Sequence, residues 1–351
     1  MNGFVKPEFK KAPKVDFDGK LTAGQRFKYK YLNGYFFKKL GISFFKYVML
    51  IGISYIVIFP FISKISTSFM SVEDFVDVSV NLVPKHWTLL TYKAIIAENN
   101  YWLAMRNTAM MSLMCGVLQT ISCALVGYGF AKFKFRGKSI LFAAVILTMI
   151  VPHQTLRLSM FTTFRYFDIW GIYGSIMELS SKISGIPLSE ATPHIVSMMD
   201  KPWPLVIMSS TCIAFKNGLY IFYFRQFFRG VPDELEEAAY IDGAGVLKTF
   251  VRIILPMSIP MLVTVFMFSF SWQWTDQFYV DLFYPSTKSI MMPDIIKIPS
   301  MLDTDATTVK EVYETAIRNT CGLMILAPLL LIYLFAQRTL IQGIERSGIT
   351  G

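Results

Sequence analysis

Five carboxylates crowd one short stretch, VPDELEEAAYIDGAGVLKTFVRIILPMSIP (residues 231–260): Asp233, Glu234, Glu236, Glu237 and Asp242. Carboxylates at that density could serve acid–base chemistry, hold a cation, or solubilise a helix that docks onto a partner. The first two roles need further polar groups nearby, a general base or clustered His and Cys. His86, His153 and His194 are isolated, and Cys115, Cys123, Cys212 and Cys321 each fall in an apolar run without paired spacing. The cysteines read as small buried hydrophobes, so no disulfide framework, metal site or catalytic set is expected. FRGKS (135–139) invites a phosphate-loop reading, but that motif needs Gly five residues before Gly137, where Lys132 stands. The chain is not expected to bind ATP itself.

Trp272, Trp274, Asp276 and Gln277 form a second group in SWQWTDQFYV (271–280). Aromatic faces beside polar groups suit a sugar ring, the faces stacking and the polar groups bonding hydroxyls. The same residues fit an aromatic belt at a membrane interface, and Tyr279 and Tyr284 share that ambiguity. Lys216 and Asn217 lie within an apolar run, where a charge costs on the order of 3 kcal/mol on insertion scales. Either they line a translocation path, or the lysine stem snorkels to a headgroup or pairs within the bundle. Arg318, with Glu314 one turn before it, poses the same choice.

The elements that position these groups follow from composition. Hydrophobic residues make up 54% of the 351 and charged residues only 17%, against the roughly 25% that covers a soluble surface. Much of the surface should therefore face lipid. Six stretches approach the ~20 apolar residues that cross a hydrocarbon core: 47–69, 107–131, 140–161, 203–224, about 253–274, and 316–337. Pro60, Pro152, Pro260 and Pro328 fall inside or beside them and are tolerated in membrane helices. The first run lies behind a basic leader, too late for a cleavable secretory signal.

With the amino terminus cytoplasmic, the inner segments hold 21 Lys and Arg and the outer loops 9, the remaining four lying in or at the spans. That bias places both termini inside. The net charge of +10 is thus dispersed over inner flanks and forms no nucleic-acid groove. The acidic stretch, between spans four and five, faces the cytoplasm. Locally it reads as a helix beginning at Pro232 and Asp233, its acids favoured by the positive helix end. Gly243 stops it, and a second helix returns to the membrane at Pro256. A helix that short needs a surface to rest on.

The spacing Glu237-Ala238-Ala239, three residues, Gly243, nine residues, Ile253, one residue, Leu255-Pro256 resembles the EAA loop of ABC importer permeases. The resemblance extends to RNTAMMS, GYGFAKFKFRGKS, YFRQFFRGVPDELEEAAYIDGAG, SWQWTDQFYV and AQRTLIQGIERSGITG. These are similar to the carbohydrate-importer branch, in the manner of its smaller permease, over residues 45–351. It implies an all-α integral membrane fold with six spans, both termini cytoplasmic, and a coupling helix-turn-helix at 231–256. Glu236, Glu237, Ala238, Ala239, Asp242, Gly243, Leu255 and Pro256 would engage a cytoplasmic ATPase dimer, which binds the ATP and Mg.

The other implied partners are a second, homologous permease, an extracellular solute-binding protein, membrane lipids and a carbohydrate, in a bacterial plasma membrane. The permease domain would run over 47–338, between a cytoplasmic leader (1–46) and a tail (339–351). The leader, whose later part could lie on the inner membrane face as an amphipathic helix, is longer than the family pattern. Residues 175–202 read as an outer-loop insertion. One rival is a six-span half of a secondary transporter, which usually carries intramembrane carboxylates that the six spans lack. A membrane-embedded enzyme, or a permease for a non-sugar substrate, are the others.

Overall fold

The computed structural model describes residues 34–168, 197–286, 290–303 and 310–348, with positions 175, 179, 182 and 183. Residues 1–33 and most of the expected insertion lie outside the described residues. The described residues form helices and turns with no strand; an isolated antiparallel bridge joins Met70 and Trp87. The chain divides into two compact units, residues 1–63 and 64–351.

Most of α1 (Gly34–Thr67) belongs to the first unit, and Pro60 lies inside it without ending it. The helix begins at Gly34 rather than near residue 47. No proline interrupts GYFFKKLGISFFKYV, so the last part of the leader extends the helix instead of forming a separate one.

The second unit continues with α2 (Val72–Val76), α3 (Leu90–Glu98), α4 (Tyr101–Lys132), α5 (Lys138–Ile150) and α6 (Arg157–Arg165). Then come α7 (Trp203–Ser210), α8 (Asn217–Arg229), α9 (Glu234–Ile241) and α10 (Val246–Thr249). A π-turn (Phe250–Ile254), α11 (Leu255–Met257), α12 (Ile259–Trp274), α13 (Phe278–Phe283) and α14 (Lys310–Gly348) complete it.

Among the described residues, Lys38–Thr67, Tyr101–Lys132 and Lys310–Ile341 are long and apolar enough to cross a membrane as single helices. The stretches expected as spans three and five are bent instead. Lys138–Ile150 meets His153–Arg165 at 96°, and Val246–Met257 meets Ile259–Trp274 at 78°. At the first bend Val151 is extended (ψ 120°), the conformation a following proline favours. At the second, Pro260 lies in the first turn of α12, where its missing N–H costs nothing.

The stretch expected as span four, 203–224, is also interrupted: α7 and α8 are separated by irregular residues 211–216. Cys212 (φ 61°) and Lys216 (φ 68°) both take the left-handed conformation there. Each such residue costs about 1–2 kcal/mol, which the surrounding structure must offset.

Pro328 leaves α14 unbroken but cannot donate to the Met324 carbonyl one turn earlier. The Tyr101 hydroxyl donates to that oxygen at 3.1 Å, and Trp274 Nε1 donates to the neighbouring Ile325 oxygen at 2.9 Å. Two side chains from other helices thereby satisfy the backbone around the proline, as a low-dielectric setting demands.

The helix α4 organises the core, packing against α7, α8 and α12. Towards its start Met111 and Cys115 join Leu205, Met208, Tyr279 and Phe283; towards its end Cys123 and Tyr128 join Phe224, Phe228, Phe250 and Ile254. Between these clusters, Ser269 Oγ donates to Gln119 Oε1 at 2.5 Å and Ser122 Oγ to the Ser209 carbonyl at 2.8 Å. Interhelical hydrogen bonds of this kind tie packed helices where lipid supplies no hydrophobic drive.

The α4–α8 contact depends on Gly127. A Cβ there would lie 2.5 Å from Phe224 Cβ and 3.1 Å from the Arg225 backbone nitrogen. At Gly129 the nearest atom would be a Phe133 ring carbon at 3.9 Å. Gly127→Val should therefore destabilise the chain by about 1–3 kcal/mol, read as a lowered melting temperature in detergent, whereas Gly129→Ala should melt like the parent.

Candidate functional site

The acidic stretch folds as α9, a glycine turn and α10. Gly243 has φ 75°, its N–H donates to the Tyr240 carbonyl at 3.0 Å, and the Ala244 N–H donates to the Ala239 carbonyl at 2.9 Å. This pair of bonds is the Schellman helix ending, and it explains why a glycine stands there. Asp233 starts α9 without capping it; its carboxylate instead meets Lys132 Nζ at 2.5 Å. Lys132, the last residue of α4, is nearly buried and also donates to the Val231 carbonyl at 2.7 Å. The lysine hydrogen bond and charge hold the Asp233 carboxyl below its ordinary range. Sequence reading missed Lys132 as an anchor; its position at a helix end, next to the acidic loop only in space, left it looking like an ordinary inner-flank cation.

The two faces of α9 differ. Glu236 and Ala239 turn inward and are buried, while Glu234, Glu237, Ala238, Tyr240, Ile241 and Asp242 are exposed. The alanine pair therefore splits between the faces. Ile241 is 86% exposed and Leu247, on α10, 70%. Beyond α10 the π-turn drives Phe250 and Ile254 into the cluster around Tyr128 and Phe228, with the Phe250 and Tyr128 ring centroids 4.6 Å apart. Leu255 and Pro256 follow at the start of α11, Leu255 half-buried and Pro256 exposed. These rings join the loop to α4.

The second candidate group is only partly brought together. Trp274 is 2% exposed, packed against Phe270 and bonded to the Ile325 carbonyl. It is a core residue supporting the Pro328 region, where the aromatic group of the sequence reading would have it at an open face. Tyr279 and Tyr284 are also buried, the Tyr279 hydroxyl accepting the Phe215 N–H at 3.1 Å. Gln277 is exposed next to α13, and the Asp276 carboxylate accepts the Tyr279 N–H at 3.1 Å. Lys216 and Asn217 are not mid-helix but stand at the break before α8. Asn217 is buried, and neither of its amide atoms has a partner among the described residues.

Trp272 is half-exposed and does meet Lys216. The Lys216 ammonium lies 4.6 Å from the Trp272 ring centre and 4.3 Å from that of Phe215. Phe215 stands edge-on to Trp272, and His153 lies 4.0 Å from Phe215. His153 and Phe215 were not legible as partners, because the only hint was Pro152 breaking the run before His153. Arg318 meets Glu314 at 3.5 Å, so the one-turn pair expected from their spacing forms. No group of three or more His, Cys, Asp or Glu suited to a metal occurs among the described residues.

A family model described as the inner membrane component of binding-protein-dependent transport systems matches residues 123–346. The arabinooligosaccharides transport system permease protein AraQ of Halalkalibacterium halodurans is 24% identical over 302 residues, 85% of this chain and 93% of that protein. The polygalacturonan/rhamnogalacturonan transport system permease protein YtcP of Bacillus subtilis is 22% identical over 312 residues, 87% and 96% of the two chains. Among solved structures, a chain of a bacterial ABC transporter involved in import of the acidic polysaccharide alginate superposes with a TM-score of 0.61. The match covers 86% of this chain and 96% of that one; at 18% identity the likeness is one of fold.

Two outcomes test the local readings. Gly243→Ala should strain the left-handed turn by about 1–2 kcal/mol and speed hydrogen exchange at Ala244 roughly 5–30-fold, while Gly243→Asn, which tolerates that conformation, should change it less. Trp274→Phe keeps the bulk but removes the bond to Ile325, so the melting temperature should fall by the equivalent of about 1 kcal/mol.

Proposed function

We propose that this chain, which belongs to the family of binding-protein-dependent transport system inner membrane components, is one permease half of an ATP-driven carbohydrate importer. The carbohydrate assignment takes its support from relatives named for arabino-oligosaccharide and polygalacturonan transport, and from a fold shared with an alginate importer. A non-sugar substrate is the second reading. The chain would cross the membrane six times with both termini cytoplasmic, crossings three, four and five being interrupted helices. A second permease would complete the pore, and an external solute-binding protein would deliver the substrate. ATP and Mg would be held by a cytoplasmic ATPase pair.

The outward face of α9 and α10 carries the coupling assignment. Exposed Ile241 and Leu247 project from a segment ringed by Glu234, Glu237 and Asp242. Apolar side chains exposed within a charged helical hairpin outside the spans fit a docking surface. The inner face of the same hairpin is tied to α4 by Lys132–Asp233 and by Phe250, so an ATPase that moved α9 would move α4. ATP binding would close the ATPases, drag the hairpin and open the permease pair outward; hydrolysis would reset it. Substrate contact would fall to the residues near Trp272, Lys216 and Gln277.

The experiment is a mild-detergent purification from native membranes with every co-purifying subunit identified. A second permease and an ATPase should accompany the chain. Ile241→Glu and Glu237→Lys, both on the exposed face, should leave the chain folded and in the membrane but release the ATPase. Retention of the ATPase by both variants would remove the docking assignment.

A further inference from the structure

Two interruptions of the chain and the far end of a third helix meet at one place. His153 follows the 96° bend after Pro152, Lys216 closes the irregular residues between α7 and α8, and Trp272 lies in the last turn of α12. Discontinuous helices that end together within a membrane protein are where polar ligands are held, because only there do free backbone ends and polar side chains collect. Lys216 is also one of four non-glycine residues with positive φ among the described residues. Backbone held in such a region by its surroundings concentrates at ligand sites.

The charge at this place is uncompensated. The Lys216 ammonium rests on the faces of Phe215 and Trp272, and no carboxylate lies within ion-pair distance of it among the described residues. Asp276, four residues beyond Trp272, uses its carboxylate to accept the Tyr279 N–H. Cation–π contacts replace only part of the hydration a lysine loses. Beside the ammonium, half of Trp272 remains exposed, a flat apolar surface of the kind that stacks on a pyranose. The His153 ring stands 4.0 Å from that of Phe215, centre to centre, and adds a polar ring to the group.

We propose that Lys216, Trp272, Phe215 and His153 form a binding site for a carboxylated sugar unit, a uronate, with its ring on Trp272 and its carboxylate on the Lys216 ammonium. The assignment rests on the importer reading and specifies its substrate class. A neutral sugar would stack on Trp272 equally well but would leave Lys216 unpaired. Lysine is suited to the task as a compact charge that donates to one carboxylate oxygen from a flexible stem.

The test is equilibrium dialysis of labelled trigalacturonate and its fully methyl-esterified, neutral form against the assembly purified as above, washed free of soluble binding protein. The parent should bind the acid at least tenfold more tightly than the ester. Lys216→Met should bring the two within about twofold, Lys216→Arg should keep most of the preference, and Trp272→Ala should weaken both. Equal binding of acid and ester by the parent, binding of neither, or a preference that survives Lys216→Met would overturn the site. Those results leave the importer reading standing if the ATPase and second permease co-purify; a chain recovered without them removes that reading, and the dialysis is then run on the chain itself.

Discussion

Inside a hydrocarbon layer an unpaired backbone group costs several kcal/mol, and this chain interrupts or kinks its helices repeatedly. The arrangement of the second unit follows from how those groups are met. Pro328 frees the Met324 carbonyl, and Tyr101 and Trp274 reach across from α4 and α12 to that turn of α14. At the break before α12, the Ser258 N–H reaches both the Ile254 and Leu255 carbonyls, at 3.1 Å each. Between α7 and α8, the Ile213 and Ala214 N–H groups converge on the Met208 carbonyl at 3.0 Å. Each interruption is closed locally or by a side chain from a neighbouring helix.

The second dependence is close approach. Gly127 lets α8 lie against α4, and the aromatic cluster of Tyr128, Phe228 and Phe250 packs just beyond that point. The amphipathic hairpin is therefore no loose connector. Lys132 and Phe250 bind its two ends to the same stretch of α4, while Gly243 lets it reverse with its backbone bonds satisfied. Its outer face mixes exposed Ile241 and Leu247 with the carboxylates Glu234, Glu237 and Asp242.

The group around Lys216 is organised differently. The hairpin is built from local sequence, but the group around Lys216 is assembled from segments some sixty residues apart in each direction (His153, Phe215 and Trp272). Its aromatic faces and its cation come together only because two helix breaks and the end of α12 adjoin in the fold.

Membrane character, the helical class and the acidic hairpin with its glycine stop were legible in the sequence. Each depends on composition, on a run of about 20 apolar residues, or on spacing within a few turns. The starting point of α1, the divided stretch at 203–224 and the bends at 151–152 and 258 were not. Proline only permits a break: Pro60 and Pro328 lie inside continuous helices, whereas Pro152 and Pro260 adjoin bends. At Pro328 a neighbour satisfies the freed carbonyl, Tyr101 donating to Met324. Trp274 and Trp272, two residues apart, diverged as well. A helix turns residues at that spacing about 200° apart, so one indole faced the core and bonded Ile325, and the other met Lys216 at the surface. Sequence determined which residue types were available for chemistry; tertiary packing decided which of them could be reached, because exposure and unpaired charge belong to the assembled helices and to no single segment.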